Sequence, residues 1–500
     1  MKNEIQVLVN GKNVIAEKGV TLSDVIKGEK PCGGHGKCGK CKVRVKGSLS
    51  EPTPEELRFL SQHELSCGVR LACLTQALGD CEIQTLSAVK DPQIKTNGVL
   101  PERQLNPLFS TYGVAVDIGT TTLVAQLYNT EGGMIAESSR LNPQSEWGAD
   151  VISRIEAALN GKAAQLSKAI RTALNEMISA FSAVIDTNKI DAVVITGNTV
   201  MLSLLTEQSL EPFSHAPFNV KRLFGETLAA DTLSLFSLRP DTQVYLPPCI
   251  SAFVGADITC AILATELCKK TTAMLADIGT NGEMALWHNG KLTVCSTAAG
   301  PAFEGVGISM GMQGITGAID KVMLKDGKLV AHVIGNKEPI GICGSGLIDA
   351  VACLIEAGMV DETGYLKNDR APIASNVALV QEDIRAFQLA KSAICAGLLT
   401  LIEEQKLRPS DLSSLYIAGG FGNYLDTENA IKIGLLPRES AALTCTVGNA
   451  AISGAAMLLL DSTIKTVAHT MIQEVHVLDL AMNSAFSEHY MLGMLLEEQS

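Results

Sequence analysis

Two stretches decide the fold: Gly113-Val114-Ala115-Val116-Asp117-Ile118-Gly119-Thr120-Thr121-Thr122 and Ala273-Met274-Leu275-Ala276-Asp277-Ile278-Gly279-Thr280-Asn281-Gly282-Glu283. Each is an apolar run of strand length ending in Asp-Ile-Gly-Thr, and each leads into a second apolar run, Leu123–Tyr128 or Met284–Trp287. Unbroken apolar character marks strands covered on both faces. The glycine after Asp-Ile permits a tight turn and close backbone approach to a ligand. Around it, Thr120, Thr121, Thr122, Thr280 and Asn281 offer hydroxyl, amide and N–H donors to phosphate oxygens, with Gly119, Gly279 and Gly282 shaping the turns. Asp117 and Asp277 are placed to hold Mg²⁺ through water, because Mg²⁺ takes few carboxylates and keeps its waters. One Asp-Ile-Gly is often only a turn. Two, 160 residues apart, read as one supersecondary unit used in two lobes, with a boundary near residues 250–272. A third element, Tyr416-Ile417-Ala418-Gly419-Gly420-Phe421-Gly422, is a strand running into a glycine corner that suits an adenosine lying against backbone. Between these elements, helices are expected near 150–159 and 163–185, and a buried strand over 192–196.

Towards the N-terminus the texture changes. Six of the fourteen cysteines, Cys32, Cys38, Cys41, Cys67, Cys73 and Cys81, fall in the first 81 residues; the other eight sit mostly in apolar runs and read as buried thiols. Residues 1–90 hold 13 Lys/Arg and 10 Asp/Glu, whereas the whole chain carries a net charge of −13, so two units of different character are joined. Ile5–Val9 and Asn13–Ala16 alternate about Asn10-Gly11, a β-hairpin signature. A short helix from Thr21, a strand at Lys42–Val45, a helix near Pro54–Ser61 and a strand near Glu82–Leu86 complete a small α+β domain of β-grasp type over residues 1–89. Residues 90–111, with Pro92, Pro101, Pro107 and Asn97-Gly98, read as a linker.

Cys32, Cys38 and Cys41, spaced Cys-x5-Cys-x2-Cys among Gly33, Gly34, Gly36 and Gly39, have the shape of a [2Fe–2S] site. Plant-type ferredoxins use three close cysteines and one distant one, and a glycine-rich loop turns N–H groups inward without Cβ obstruction. Cys67 and Cys73 both lie at usable separations for the fourth place. Arg70-Leu71-Ala72-Cys73 resembles the closing segment of that ferredoxin type, which favours Cys73. A structural zinc site is the bland alternative, but zinc sites usually pair two short hooks. Lys37, Lys40, Lys42 and Arg44 make the rim basic, either as a solvated face or as a docking surface for an acidic redox partner.

The chain has 500 residues, 46% hydrophobic and 19% charged, too long for one core and too apolar for disorder. It shows no apolar run of about 18 residues or more and no signal-peptide pattern, so a cytoplasmic location is expected, with no membrane span. Its acidity argues against nucleic acid as a partner.

The paired phosphate motifs and the glycine corner resemble the actin/Hsp70/hexokinase (ASKHA) superfamily of ATPases, a two-lobed α/β fold expected over residues 112–500. Preceded by a ferredoxin-type domain, the whole resembles the reductive activators of corrinoid proteins. Further stretches carry the likeness: Ile195-Thr196-Gly197-Asn198-Thr199, Leu246-Pro247-Pro248 with Gly255-Ala256-Asp257, Gly300-Pro301-Ala302-Phe303-Glu304-Gly305, and Cys343-Gly344-Ser345-Gly346-Leu347-Ile348-Asp349. The resemblance implies ATP, Mg²⁺ and a [2Fe–2S] cluster as cofactors. It implies a corrinoid protein of a methyltransferase system and an external low-potential electron donor as partners, and a homodimer is compatible with it. Longer members carry a middle domain, and the short spacing here reads as a short form lacking it. The implied activity is ATP-dependent transfer of one electron to a Co(II) corrinoid, giving Co(I). With plant-type clusters near roughly −400 mV, and about 59 mV per decade for one electron, a deficit of hundreds of millivolts needs several decades of coupling to ATP-driven lobe movement. Two other classes stay in view: a small-molecule or acyl kinase with a redox-sensing domain, and a non-catalytic redox docking module. Glu283 and Glu304 are left without a role, and Gly344-Ser345-Gly346 lacks the partner pattern of a serine hydrolase.

Overall fold

The computed structural model describes residues 4–26, 34, 36, 39, 41–60, 62–66, 68–85, 100–101, 104–420 and 425–499. Cys32, Cys38, Cys67 and Phe421, and most of the 90–111 segment, lie outside the described residues.

The first unit is a five-stranded sheet. Strands β1 (Glu4–Val9) and β2 (Lys12–Glu17) form a hairpin about Asn10-Gly11. Both turn residues have left-handed φ, 47° and 83°, the geometry that matches the twist of the strands. After helix α1 (Leu22–Ile26) come β3 (Lys42–Leu49), helix α2 (Gln62–Ser66), β4 (Val69–Leu71) and β5 (Ala77–Thr85). The order is β2-β1-β5-β3-β4, with β1 parallel to β5 and the other pairs antiparallel. Val7, Leu22, Val43, Val45 and Ile83 fill the core. The helix expected near Pro54–Ser61 is instead a 3₁₀ turn, Glu56–Arg58, followed by α2; so short a stretch cannot propagate a longer helix.

The body holds two six-stranded sheets. The first is built from β6 (Tyr112–Ile118), β7 (Thr122–Asn129), β8 (Met134–Leu141), helices α3 (Val151–Ala157) and α4 (Ala163–Ala180), β9 (Ile190–Gly197), α5 (Thr199–Leu205), β10 (Phe224–Ala229), β11 (Gln243–Pro248) and α6 (Ala256–Ala264). Gly161, at φ 84°, breaks α3 from α4. The second is built from β12 (Thr272–Ile278), β13 (Gly282–His288) and β14 (Lys291–Thr297), then resumes after an excursion. That excursion contains β15 (Ala318–Lys325), β16 (Lys328–Val333), β17 (Gly341–Ile342), α7 (Gly344–Glu356), β18 (Arg370–Ala374) and β19 (Val377–Val380). There follow α8 (Gln381–Glu404), β20 (Ser414–Ala418), α9 (Thr427–Lys432), β21 (Thr444–Gly448), α10 (Ala450–Leu460), α11 (Ile464–Gln473), β22 (Val475–Val477) and α12 (Ser484–Leu492).

The sheet orders are β10-β11-β9-β6-β7-β8 and β21-β20-β12-β13-β14-β22. In both, an Asp-Ile strand pairs antiparallel with its successor and parallel with a later strand, β6 with β7 and β9, β12 with β13 and β20. The same unit therefore occurs twice. Alternation on β6 sends Val114, Val116 and Ile118 to an outer core with α3 and α4, while Ala115 faces an inner core. On β12, Met274, Ala276 and Ile278 face α7 and α8, while Ala273 and Leu275 join that same inner core. Helices α6 and α10 fill the inner layer, and at their crossing a Cβ on Gly454 would lie 2.0 Å from the Cys260 carbonyl oxygen. Among the described residues α8 is the one helix long and apolar enough to cross a membrane, and it is mostly buried inside the body.

The end of the expected linker is fixed to this body. Asn106 and Leu108 N–H donate to the Leu460 and Leu459 carbonyls, and Asp191 accepts from Ser110 and Thr111 N–H. Phe109 is buried because it fills the space over Gly113. The cysteines beyond residue 90 also need one amendment: Cys445 is exposed and Cys268 half-buried, while the other six are buried.

Candidate functional site

Asp117 shares a face with Ala115, and Asp277 with Leu275, so each ends its strand on the inner side of its sheet. The two strand ends open on one cavity of about 460 Å³. It is lined by Asp117, Gly119, Thr120, Thr121 and Thr122 from the first loop and by Asp277, Gly279, Thr280 and Asn281 from the second, and it also takes in Gly419 and Gly420. Gly282 is not among the lining residues, and a Cβ there would strike Ile394 of α8 at 2.3 Å. It is a packing glycine because β13 runs close under α8.

The first loop is held from behind. Asn142 Nδ2 donates to the Gly119 carbonyl at 2.8 Å, Arg154 Nη2 to the Thr120 carbonyl at 2.5 Å, and Asn142 N–H to the Thr121 carbonyl at 2.9 Å. With their carbonyls tied to the scaffold, Gly119, Thr120 and Thr121 are fixed where they line the cavity together with Thr122. A Cβ on Gly119 would lie 2.6 Å from the Thr122 carbonyl oxygen, so the turn closes only with glycine. Arg154 is fully buried and also donates to the Gly148 carbonyl and the Gln144 side chain. Among the described residues it forms no ion pair, so its charge stands behind the loop without a carboxylate in contact.

The second loop is tighter, with Gly279 N–H donating to the Asn281 carbonyl at 3.0 Å. Gly419, at φ 107°, passes over it: a Cβ there would lie 2.3 Å from the Ile278 carbonyl oxygen. Beside it, a Cβ on Gly420 would meet nothing within 4 Å, so this corner leaves room for a ligand against bare backbone.

Six carboxyl groups line the cavity, Asp117, Asp257, Asp277, Glu283, Glu304 and Asp320, and burial raises the first four. Burial pushes Asp117 up to about 6, against a bond from Asn449 Nδ2 at 2.9 Å that pulls the other way. Burial and the charges of Asp117 and Glu304 push Asp277 up to about 7. Asp257 is raised by burial and by Asp277, and Glu283 by burial, Asp257 and Asp277. A cation would relieve all four. Among the described residues no three acidic, His or Cys side chains converge closely enough to grip a metal directly.

Several lining residues were not singled out as site residues in the sequence. Asn449 is the N-cap of α10, accepting Ile452 N–H, and it turns its amide onto Asp117. Asn198 caps α5 and reaches Thr120 Oγ1 at 3.2 Å. Both are Asn before a helix, a legible cap signal whose second bond depends on the other lobe or loop. Glu304 Oε2 accepts from Thr121 Oγ1 at 2.8 Å and from Thr280 Oγ1 at 2.6 Å. Ser345 Oγ donates to the Asp320 carbonyl, and His332 bonds the Asp320 carboxylate rather than the serine, so no hydrolase relay forms.

In the N-terminal unit, Cys41 and Cys73 come from positions 32 residues apart, yet their sulfurs are 3.1 Å from each other. Gly34, Gly36 and Gly39 all have left-handed φ. A Cβ on Gly36 would meet Leu74, and one on Gly39 would meet Phe59. Two thiols at one point beside a glycine loop suit a shared metal group. The segment carrying Cys73 is fixed by Glu56, fully buried, which accepts from Arg70 Nε and Nη2, Leu71 N–H and Thr75 Oγ1.

Comparison with known proteins agrees with this geometry. Residues 271–500 match a family model described as the C-terminal domain of RACo, the ASKHA domain, and residues 112–270 match one described as the RACo middle region. The chain is 36% identical over 423 residues to the corrinoid activation enzyme RamQ of Eubacterium limosum, covering 77% of this chain and 70% of that one. It is 27% identical over 383 residues to the [Co(II) methylated amine-specific corrinoid protein] reductase of Methanosarcina barkeri, 70% of each. A 70-residue stretch is 37% identical to one component of the Na⁺-translocating NADH-quinone reductase of Haemophilus influenzae, 14% of this chain and 16% of that one. Among solved structures, a reductive activator for a corrinoid, iron–sulfur protein aligns with a TM-score of 0.74 at 27% identity, over 99% of both chains. The expectation of a missing middle domain is corrected: the segment matching the RACo middle region is present and forms the first six-stranded sheet.

Proposed function

The chain belongs to the RACo family of corrinoid activation enzymes, and from that premise we propose that it is an ATP-dependent reductive activator, passing one electron to the Co(II) corrinoid of a partner protein and so regenerating Co(I) for methyl transfer. The observation that carries this reading is the convergence of both Asp-Ile-Gly-Thr loops on one cavity, with the Gly419-Gly420 corner beside them. In this reading the N–H groups of Thr120–Thr122 and the donors of Gly279–Asn281 hold the phosphates. The adenosine lies along Gly419 and Gly420, with Phe421 next in the chain. Asp117 and Asp277 would hold Mg²⁺, and Asn449 orients the Asp117 carboxylate.

Residues 1–89 serve as a β-grasp ferredoxin-like domain, whose strand order and Cys41–Cys73 approach support the assignment. Cys32, Cys38, Cys41 and Cys73 would hold a [2Fe–2S] cluster, which supplies single electrons at low potential. The corrinoid is substrate and stays on the partner; the electron reaches this chain from an external donor. ATP contributes because a ligand that binds two lobe arrangements unequally shifts their populations.

The test mixes anaerobically reduced protein with candidate Co(II) corrinoid proteins, with and without MgATP, and follows the Co(II)-to-Co(I) absorbance change. ATP-dependent Co(I) formation is expected. ATP turnover on a sugar or carboxylate, indifferent to corrinoid protein, would overturn the assignment.

A further inference from the structure

The threonines facing each other from the two loops share one acceptor atom. Thr121 Oγ1 and Thr280 Oγ1 both donate to Glu304 Oε2, at 2.8 and 2.6 Å. Glu304 ends the turn Pro301–Glu304 that follows β14. A Cβ on Gly279 would lie 3.6 Å from its other oxygen, so the carboxylate stands over the open face of the second loop. It is also among the residues that line the cavity together with Gly119, Thr120, Thr121 and Thr122 of the first loop. A carboxylate is an anionic, acceptor-only group, the closest match among side chains to a pair of phosphate oxygens.

We propose that Glu304 is an internal stand-in for a nucleotide phosphate: it ties the first phosphate loop to the second, and an incoming phosphate takes over Thr121 and Thr280 and displaces it. This rests on the nucleotide reading above. The bond pair joins loops from different sheets, so its release couples phosphate arrival to the relative position of the lobes. A phosphate and the carboxylate cannot both occupy the two hydroxyls, and their like charges repel at so short a separation. ATP therefore binds only the fraction of molecules in which Glu304 has let go, and its apparent affinity is lowered by that fraction. Adenosine, lacking phosphates, does not compete with Glu304.

Calorimetry on the full-length, cluster-loaded protein decides this, comparing wild type with Glu304→Gln and Glu304→Ala, each titrated with MgATP and with adenosine. Both variants are expected to bind MgATP about tenfold more tightly and adenosine with unchanged affinity. Unchanged or weaker MgATP binding, or equal shifts for MgATP and adenosine, would overturn the proposal. The isosteric Gln variant decides the matter if the Ala variant does not fold. A wild type that binds no MgATP at all would overturn the nucleotide reading and, with it, this inference; a wild type that binds while the variants gain nothing overturns the inference alone.

Discussion

At the scale of single residues, the acid cluster makes a prediction about pH. Asp117 and Asp277 hold their protons to about 6 and about 7, above the ordinary aspartate value of 3.8. The native state therefore binds more protons than the unfolded state between those values, and stability falls as pH rises through that window. Glu56 is shifted the other way, so its contribution is lost only in more acid solution and does not mask the trend. Without Mg²⁺ and nucleotide, the melting temperature is expected to be lower at about pH 7.5 than at about pH 5.5. MgATP should reduce that slope, because a cation stabilises the ionised form. Asp277→Asn, neutral at every pH, should flatten the slope and abolish ATP-dependent Co(I) formation. A melting temperature that rises over the window would show that the carboxylates are not mutually destabilising.

Individual elements carry a second prediction. Strand β4 and the turn after it bring Cys73 to Cys41, and one buried side chain fixes that segment. Burial acts to raise the Glu56 pKa, but bonds from Arg70, Leu71 and Thr53 outweigh it and hold the carboxyl below its ordinary value. Removing one partner of such a pair leaves the other buried and uncompensated, at a cost of about 3–5 kcal/mol. Arg70→Ala should destabilise the N-terminal unit by that amount and speed loss of cluster absorbance in air. The melting transition of residues 112–499 should not move. If both transitions shift together, the two units unfold as one and the pair is not local to the N-terminal unit. In the sequence, Arg70 read only as part of a ferredoxin-like closing segment. Its partner Glu56 gave no signal, because burial of a glutamate is decided by what the chain brings against it from 14 residues away.

For the whole molecule, the crossing of α6 and α10 matters most. Helix α10 belongs in sequence to the second sheet's half, yet it packs with α6 in the layer between the sheets. Gly454 allows its backbone to lie against Cys260. Asn449 at the start of the same helix reaches Asp117, so the helix that makes the crossing also touches the site. Gly454→Ala would place a Cβ 2.0 Å from a carbonyl oxygen, and overpacking of this kind costs about 1–3 kcal/mol. The expected result is a lower melting temperature with weaker coupling, seen as ATP turnover that no longer scales with Co(I) formation. A variant with wild-type melting and coupling would mean that the helices separate freely and do not transmit lobe position.

The repeated Asp-Ile-Gly-Thr signature made the two-lobed ATPase architecture legible in the sequence, because strands buried on both faces and glycine turns leave local marks that do not depend on distant partners. The cysteine spacing marked the N-terminal unit in the same way. Tertiary structure alone decided that Gly282 packs on α8, that residues 104–111 belong to the body, and that Glu304 bridges Thr121 and Thr280. It also decided that Asn142 and Arg154 aim the first loop from behind. The physical reason is common to these cases. Each depends on a hydrogen bond or a close approach between segments far apart in the chain, and such contacts have no periodicity or spacing to be read.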